Sequence, residues 1–189
     1  MDKLFDLHGL EVFSGNRIPI HGGSVELLVA KKGIHPVDPS VAQLRAEEAE
    51  LGCDKVETYR RFADRVWEIK REVLGILRGY AAKGKKVYAF GAPAKGGTFL
   101  NSFHITPELV QCAVEVNPLK VGKYIPGVRI PIVDEAKTPP PDAYIVLAWN
   151  FLREFLQKQR NYIMNGGEFI VPIPKPVIIN KQNLSEYAP

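Results

Sequence analysis

Residues 85–101 read KKVYAFGAPAKGGTFLN, where a loop with three glycines joins a short apolar run to a helical pattern. The run KKVYAF predicts a buried strand, and TFLNSF predicts a helix. Three more strand-like runs follow, VQCAVEV, AYIVLAW and EFIVPI, and the helical pattern FLREFLQKQRNYIM ends at NGG, a common helix stop. Strands that alternate with helices form parallel β-α-β units. We therefore expect an α/β fold in which residues 84–189 form a Rossmann-like three-layer domain with a mostly parallel sheet.

Residues 1–33 contain two β-rich runs, GLEVFSG and SVELLVAKK, which the turn-forming stretch GNRIPIHGG connects. This pattern predicts two neighbouring antiparallel strands. An isolated strand pair is marginal in water, and Leu27, Leu28 and Val29 need more sheet than this segment supplies. We therefore expect these residues to end a larger preceding structure.

Residues 34–83 are predicted to be helical. SVAQ at Ser40 and DKVE at Asp54 resemble capping boxes, and Gly52 separates two predicted helices. In the second helix, apolar residues recur at intervals of three and four and predict one long apolar face, which could also carry a contact between copies of the chain. The residues of this face are Val56, Tyr59, Phe62, Ala63, Val66, Ile69, Val73, Ile76, Leu77 and Tyr80.

The composition excludes several classes of protein. No apolar run approaches the length of about 18 residues that a membrane span needs, and the net charge of +4 comes without a clustered basic face for nucleic acid. The start, MDKLFDLHGLEVFSG, lacks the features of a secretory signal, so we expect a cytoplasmic protein. Cys53 and Cys112 are too few for a disulfide framework or a cysteine-based zinc site, so no metal is expected.

The glycine loop fits neither of two common nucleotide motifs. Gly97 stands where an ATPase-type phosphate loop requires lysine, and Pro93 stands where the dinucleotide fingerprint requires glycine. Two general features still favour an anion site at this loop. Glycine permits close approach of the backbone to a ligand, and a helix N-terminus stabilises an anion. Lys95 would add a positive charge. A tight turn with a solvated lysine is the alternative interpretation.

Polar residues follow the second and third strands of the predicted sheet, and ligands of open α/β sheets bind beyond such strand ends. Glu115 stands 24 positions after Gly91, about where ribose-binding acids occur. Trp149 and Asn150 follow the third strand. Each has a structural alternative, because Glu115 could pair with a lysine, Trp149 could be core, and Asn150 could cap the next helix.

Four motifs in order, GAPAKGGTFLN, EVNPLKVGKYIPGVRIPI, LAWNF and GGEFIVPIPKP, resemble the C-terminal domain of the S-adenosylmethionine-dependent C-methyltransferases that act on nucleotide-linked deoxysugars. The opening LFDLHGLEVF, followed by HGGS, is similar to the closing strands of the methyltransferase domain that precedes it in this family. The resemblance runs from Leu4 to about Asn180 and is weakest across residues 34–83.

The resemblance implies a parent protein with an N-terminal zinc-binding segment, a central methyl-donor domain and this C-terminal domain. It also implies that a nucleotide-diphosphate sugar binds between the last two, while S-adenosylmethionine and the catalytic acid and base belong to the central domain. We therefore expect no catalytic residue and no cofactor in this chain. It would be a fragment of a longer protein, or a short gene product that works with a separate methyltransferase chain, and inactive alone.

The resemblance also implies roles for single residues. Lys95, the loop amides and Lys120 or Lys123 would face the diphosphate, Glu115 and Asn117 would meet hydroxyl groups, and Trp149 would pack on a ring. The chain departs from the family at Gly97, often Asn, and at Glu115, often Asp. The predicted substrate-binding residues are Gly91, Lys95, Gly96, Gly97, Thr98, Asn101, Glu115, Asn117, Lys120, Trp149 and Asn150.

One histidine and two rival functions stay open. His21 lies in the HGGS turn near the expected domain junction, where it is either a turn residue or a group beside the sugar. The first rival is a stand-alone dinucleotide-dependent oxidoreductase, which predicts a bound dinucleotide. The second is a noncatalytic dimerisation module, which predicts a homodimer without small-molecule binding.

Overall fold

The computed structural model describes residues 1–20 and 22–187. The chain divides into two units, Met1–Asp64 and a second that begins at Arg65, and the long helix α3 (Val56–Ala82) contains the boundary. His21, which the sequence places in the turn before the second strand, lies outside the described residues. Among the described helices, none combines the length and the apolar character that crossing a membrane requires.

The first unit contains the predicted antiparallel pair, which is confirmed. Strands β1 (Leu10–Ile18) and β2 (Ser24–Lys31) pair antiparallel, with an irregularity between Val12 and Ser14. At that irregularity the Phe13 carbonyl accepts a hydrogen bond from the Asp38 N–H at 2.8 Å, just before the second helix. The helices of this unit are α1 (Asp2–Asp6), α2 (Pro39–Leu51) and the first part of α3.

The start of α2 differs from the predicted capping box at Ser40. Asp38 is the cap, because its Oδ1 accepts the Ser40 N–H at 2.8 Å, and Pro39 occupies the first helical position, which needs no N–H. Gly52, at φ +66°, ends the helix as predicted. Asp54 lies two residues before α3, which begins at Val56.

The second unit is an α/β domain around a six-stranded sheet of order β5-β4-β3-β6-β7-β8. All neighbours are parallel except β7 and β8, which confirms the mostly parallel sheet. The strands are β3 (Val87–Phe90), β4 (Ala113–Glu115), β5 (Ile132–Asp134), β6 (Ala143–Val146), β7 (Glu168–Val171) and β8 (Val177–Ile179). The helices are α4 (Ala94–Phe103), α5 (Leu152–Lys158), α6 (Arg160–Met164) and α7 (Leu184–Tyr187), with 3₁₀ turns at Glu135–Lys137 and Trp149–Phe151.

The structure differs from the sequence prediction in two strands that were not predicted and in one predicted helix that is divided in two. Strands β5 and β8 were not predicted, because each has only three residues and prolines stand close by, at Pro131 and Pro176. The helix predicted across FLREFLQKQRNYIM is divided at Gln159, whose φ of −100° and ψ of 18° are not helical.

The core of the second unit consists of two apolar layers, one on each face of the sheet. Alternate strand residues face opposite sides, so Ala89 and Ile145 belong to one layer and Phe90 and Val146 to the other. Helices α3 and α4 cover the first face, and α5, α6 and α7 cover the second. The predicted three-layer arrangement is confirmed.

The strand order places a reversal at β3. The chain leaves β3 towards β4 and β5 on one side and returns to β6 on the other side. Ligands of open α/β sheets bind at such a reversal, beyond the carboxyl ends of the strands. The loops that begin at Gly91 and Leu147 meet at this position.

Candidate functional site

Residues 91–93, here the glycine loop, follow β3 and lead directly into α4, which begins at Ala94 and contains Lys95, Gly96 and Gly97 of the predicted loop. Gly91 has φ +80°, a conformation that favours glycine, and its N–H donates to the Val114 carbonyl at 2.9 Å. Pro93 is the N-cap of α4 and provides no side-chain hydrogen bond. Within the described part of the chain, the N–H groups of residues 94–96 have no acceptor. The loop therefore presents free backbone donors at the carboxyl edge of the sheet.

The two glycines of α4 face different surroundings. A Cβ at Gly96 would lie 2.8 Å from the Cβ of Leu147, so glycine is needed there for α4 to approach the end of β6. A Cβ at Gly97 would lie 3.6 Å from Ile125 Cγ2, an ordinary contact. Gly96 thus serves packing, whereas Gly97 leaves space beside the helix.

Glu115 connects the glycine loop to the end of β4. Its Oε1 accepts the N–H groups of Val116 and Asn117 at 3.0 and 3.1 Å, and its Oε2 accepts the Ala92 N–H at 3.1 Å and lies 3.4 Å from Lys120 Nζ. Burial acts to raise the pKa of Glu115, but the N–H donors and the Lys120 charge outweigh it and hold the pKa below its ordinary value. The carboxylate is therefore ionised and bound to backbone at neutral pH.

These contacts correspond to the alternative in which Glu115 pairs with a lysine. Lys120 also donates to the Ala92 carbonyl at 3.0 Å, so it contacts the glycine loop directly. Asn117 uses its Oδ1 to accept the Leu119 N–H at 2.9 Å, which stabilises a local turn. Lys123 is exposed.

A second polar cluster crosses the reversal point between α4 and the β6 loop. Lys95 Nζ donates to Asn150 Oδ1 at 2.7 Å and lies 4.6 Å from the ring centroid of Trp149. Burial lowers the pKa of Lys95. Asn150 does not cap the next helix, because Phe151 is the N-cap of α5, so that alternative is wrong. Its Nδ2 is buried without a partner among the described residues.

Trp149 lies partly buried between the two apolar layers of the domain. It packs edge-to-face on Phe99 with 6.2 Å between the ring centroids, while Lys95 lies over its ring. Trp149 therefore belongs partly to the core, which was the structural alternative for this residue. It also lies at the carboxyl edge of the sheet.

A hairpin over residues 123–131 lies against α4. Its ladder includes the Ile125 N–H, which donates to the Ile130 carbonyl at 2.9 Å. Asn101 Nδ2 donates to the Gly97 carbonyl at 2.8 Å and the Pro126 carbonyl at 2.9 Å, and so holds the hairpin on the helix. Thr98 is exposed one turn earlier. The sequence predicted Asn101 and Thr98 as site residues but did not identify this hairpin, whose signal is the turn YIPG.

Two cavities lie on either side of the glycine loop, and both are lined by Ala92 and Pro93. The first, here the polar pocket, has a volume of about 200 Å³, and its lining includes Gly91, Glu115, Lys120, Glu135, Phe155 and Lys158. The second, here the apolar slot, has a volume of about 490 Å³, and its lining includes Ala94, Gly97, Thr98, Asn101, Ile125, Pro126 and Ile132. Sequence reasoning did not identify Glu135, Phe155, Lys158, Ile125, Pro126 or Ile132.

Comparison with known proteins adds two findings. Residues 19–174 match the family model described as C-methyltransferase C-terminal domain. Over 183 residues the chain is 38% identical to C-methyltransferase NovU from Streptomyces niveus, in an alignment that covers 95% of this chain and 44% of NovU. The chain therefore spans less than half the length of that relative.

Proposed function

The chain belongs to the C-methyltransferase family through its C-terminal domain, and on that premise we propose that it binds the substrate of the methyl transfer, a nucleotide-diphosphate sugar. The observation that carries the proposal is the position of the glycine loop. It presents free N–H donors between two cavities at the reversal point of the sheet, where ligands of such folds bind.

A diphosphate suits the charges around this loop. Lys120 contacts the loop through the Ala92 carbonyl, and Lys95 lies in the first turn of α4. Backbone N–H groups at a helix start stabilise an anion, and lysine adds a full charge. The bond from Lys95 to the neutral Asn150 leaves that charge uncompensated. We propose that the diphosphate binds across the loop between these two lysines.

Two features argue against a site for S-adenosylmethionine in this domain. A methyltransferase of this fold type uses the acid after its second strand for the adenosine, whereas here Glu115 accepts three backbone N–H groups. The methyl donor also carries a positive sulfonium, which Lys95 and Lys120 would repel. The residues present do not fit the cofactor, and we propose that the donor binds to a part of the parent protein or to a partner chain.

The proposed contribution of this domain is orientation. In the reaction that we propose for the parent protein, a base would remove a proton beside a sugar keto group. The resulting carbanion would take the methyl group as the sulfur–methyl bond of the donor breaks, and the neutral thioether would leave. A domain that fixes the nucleotide end lowers the entropic cost of this encounter. We propose that residues 1–33 complete the sheet of the methyltransferase domain, since Val25 and Leu28 on β2 are 47% and 46% exposed.

The rival functions differ in their support. The dinucleotide-dependent oxidoreductase needs a free acid after the second strand, and Glu115 is engaged with backbone. A homodimer stays a second candidate, because Val56, Tyr59 and Phe62 on the first turns of α3 are each 58% exposed and apolar.

Calorimetric titration of this chain with thymidine diphosphate, S-adenosylmethionine and NAD in parallel tests the proposal. We expect saturable binding of thymidine diphosphate alone. Saturable binding of NAD would favour the oxidoreductase, and binding of S-adenosylmethionine would contradict our assignment of the donor site. Sedimentation of the same samples would detect a dimer independently.

A further inference from the structure

We propose that Asn150 is a positioning residue, which holds the Lys95 ammonium at the reversal point of the sheet through a neutral acceptor and so leaves the lysine charge available to an anion. This inference rests on the proposed function, because it is Lys95 that would contact the diphosphate. It goes beyond that function by giving a role to a residue that acts through another.

The bond between these two side chains joins the two loops that meet at the reversal. Lys95 lies in the first turn of α4, and Asn150 lies in the 3₁₀ turn that follows β6. Lys95 Nζ donates to Asn150 Oδ1 at 2.7 Å and also lies 4.6 Å from the ring centroid of Trp149. Two contacts therefore restrict a lysine whose flexible stem would otherwise let the charge move.

The chemistry of the pair determines how the Asn150 amide is oriented. An ammonium group has only donors, so the carboxamide must present its oxygen to Lys95. Its Nδ2 is then buried at the other end of the amide, without a hydrogen-bond partner within residues 1–20 and 22–187. A buried donor without a partner is unfavourable. An apolar side chain of similar size would avoid this cost, so stability alone does not explain the asparagine.

The neutrality of the Asn150 acceptor is the second part of the inference. Aspartate has nearly the same shape and would accept a stronger bond from Lys95, but it would also cancel the lysine charge. No carboxylate of the described residues forms an ion pair with Lys95. Lys120, by contrast, lies 3.4 Å from the Glu115 carboxylate. Lys95 is therefore the more available of the two charges beside the glycine loop.

Two substitutions of Asn150 separate the position of the lysine from its charge. Asn150→Leu keeps the approximate size of the side chain and removes the acceptor, whereas Asn150→Asp keeps the acceptor and adds a negative charge. Asn165→Asp is the matched control for the added charge. Asn165 is exposed, and it follows α6 and precedes β7, so it lies at the amino edge of the sheet.

Calorimetric titration measures binding of thymidine diphosphate and of inorganic pyrophosphate to the full 189-residue chain and to these variants. We expect Asn150→Asp to weaken binding of both ligands by about tenfold or more, because its carboxylate pairs with Lys95 and repels the anion. Asn150→Leu should weaken binding by about threefold, since Lys95 keeps its charge but loses its fixed position. Asn165→Asp should bind both ligands as the wild type does.

Melting curves of the same samples distinguish a positioning role from a structural one. Asn150→Leu removes the buried, unpaired Nδ2, so we expect it to melt at or above the wild-type temperature while it binds pyrophosphate more weakly. A lower melting temperature with unchanged affinity would show that Asn150 only ties the two loops together, and would overturn the inference. Asn150→Ala replaces Asn150→Leu if leucine disrupts the fold.

A double-mutant cycle tests whether Asn150 acts through Lys95. Lys95→Met removes the charge but keeps a long side chain, and it should weaken pyrophosphate binding by about tenfold. In the Lys95→Met background, Asn150→Leu should cause no further loss, whereas the effects of independent residues would add. Additive losses would overturn the positioning role.

The outcomes separate this inference from the proposed function. If the wild-type chain binds thymidine diphosphate and the Asn150 variants bind it equally well, the positioning role is wrong and the proposed function stands. Equal losses in Asn150→Asp and Asn150→Leu would also overturn the role, because the charge at this position would then not matter. If the wild-type chain binds neither ligand, the proposed function is wrong and the role of Asn150 is wrong with it.

Discussion

At the carboxyl edge of the sheet, Glu115 accepts three backbone N–H groups and lies 3.4 Å from Lys120. At the amino edge, Glu168 at the start of β7 accepts the Tyr80 hydroxyl at 2.6 Å and lies 3.8 Å from Lys85. The residue types are similar, but Glu115 holds loops that face two cavities, whereas Glu168 ties α3 to the sheet. We therefore expect the two carboxylates to differ in their effects, with Glu115 needed for the proposed ligand binding and Glu168 needed for stability alone.

The largest effect is expected at Glu115. The Glu115→Ala variant leaves the N–H groups of Ala92, Val116 and Asn117 without their acceptor, and a buried unsatisfied donor costs about 1–3 kcal/mol. Because these groups are partly solvated, we expect a loss of about 3 kcal/mol in the free energy of unfolding, measured by urea denaturation. Thymidine diphosphate binding should be abolished together with the loop geometry. If Glu115→Ala keeps full affinity for thymidine diphosphate, then Glu115, like Glu168, affects stability alone.

The second prediction concerns the close approach of α4 to the end of β6. The Gly96→Ala variant gains helix propensity of about 1 kcal/mol. Its Cβ would overlap Leu147 at 2.8 Å, and overpacking typically costs about 1–3 kcal/mol. The overlap involves the Leu147 Cβ, which cannot move without the backbone, so we expect a net loss of about 1–2 kcal/mol.

The adjacent Gly97→Ala variant is the control for this prediction, because its Cβ finds an ordinary contact at 3.6 Å and should stabilise the chain slightly. Thermal melts of the two variants, recorded side by side, measure the difference. Equal melting temperatures would mean that α4 and β6 tolerate the added atom.

The third prediction lies at the amino edge. Tyr80→Phe removes the hydroxyl that donates to Glu168, and a hydrogen bond to a charged group contributes about 1.5–3 kcal/mol when buried. Because the Glu168 side chain is 23% exposed, water replaces part of this bond, and we expect a loss of about 1 kcal/mol. Affinity for thymidine diphosphate should stay the same. A loss of affinity would show that the two edges are coupled.

Sequence patterns predicted the fold where elements are long or strongly marked. The runs that became β3, β4, β6 and β7 carry clear apolar signals. The helix predicted at TFLNSF begins four residues before Thr98, at Ala94, inside the predicted glycine loop. The three-residue strands β5 and β8 carry almost no periodic signal, because they depend on pairing with β4 and β7 rather than on their own residues. The cap of α2 was assigned to Ser40 instead of Asp38, since both are good cap residues and only the backbone distinguishes them.

The sequence predicted where the candidate site lies, but not how its side chains are arranged. The strand-end rule located Gly91, Glu115 and Trp149 at one edge of the sheet. It could not predict that Glu115 turns towards the backbone, because that depends on three N–H groups from two loops. The slot was also not predictable, since Ile125 and Asn101 meet only through the fold.

The smallest expected effect is the pH dependence that Glu115 contributes. Its pKa in the folded chain lies below the ordinary value of 4.5, so the carboxylate favours the folded state above that value. This contribution is lost as the pH falls through the lower folded pKa, because the protonated acid no longer accepts the N–H groups as well. Glu115→Gln, which does not titrate, should lose less stability than the wild-type chain when the pH falls from about 6 to about 3. Urea midpoints across this range measure the difference, and Glu168→Gln is the control at the other edge. Parallel pH curves for the wild type and Glu115→Gln would mean that the carboxylate gains nothing from its ionised state in the fold.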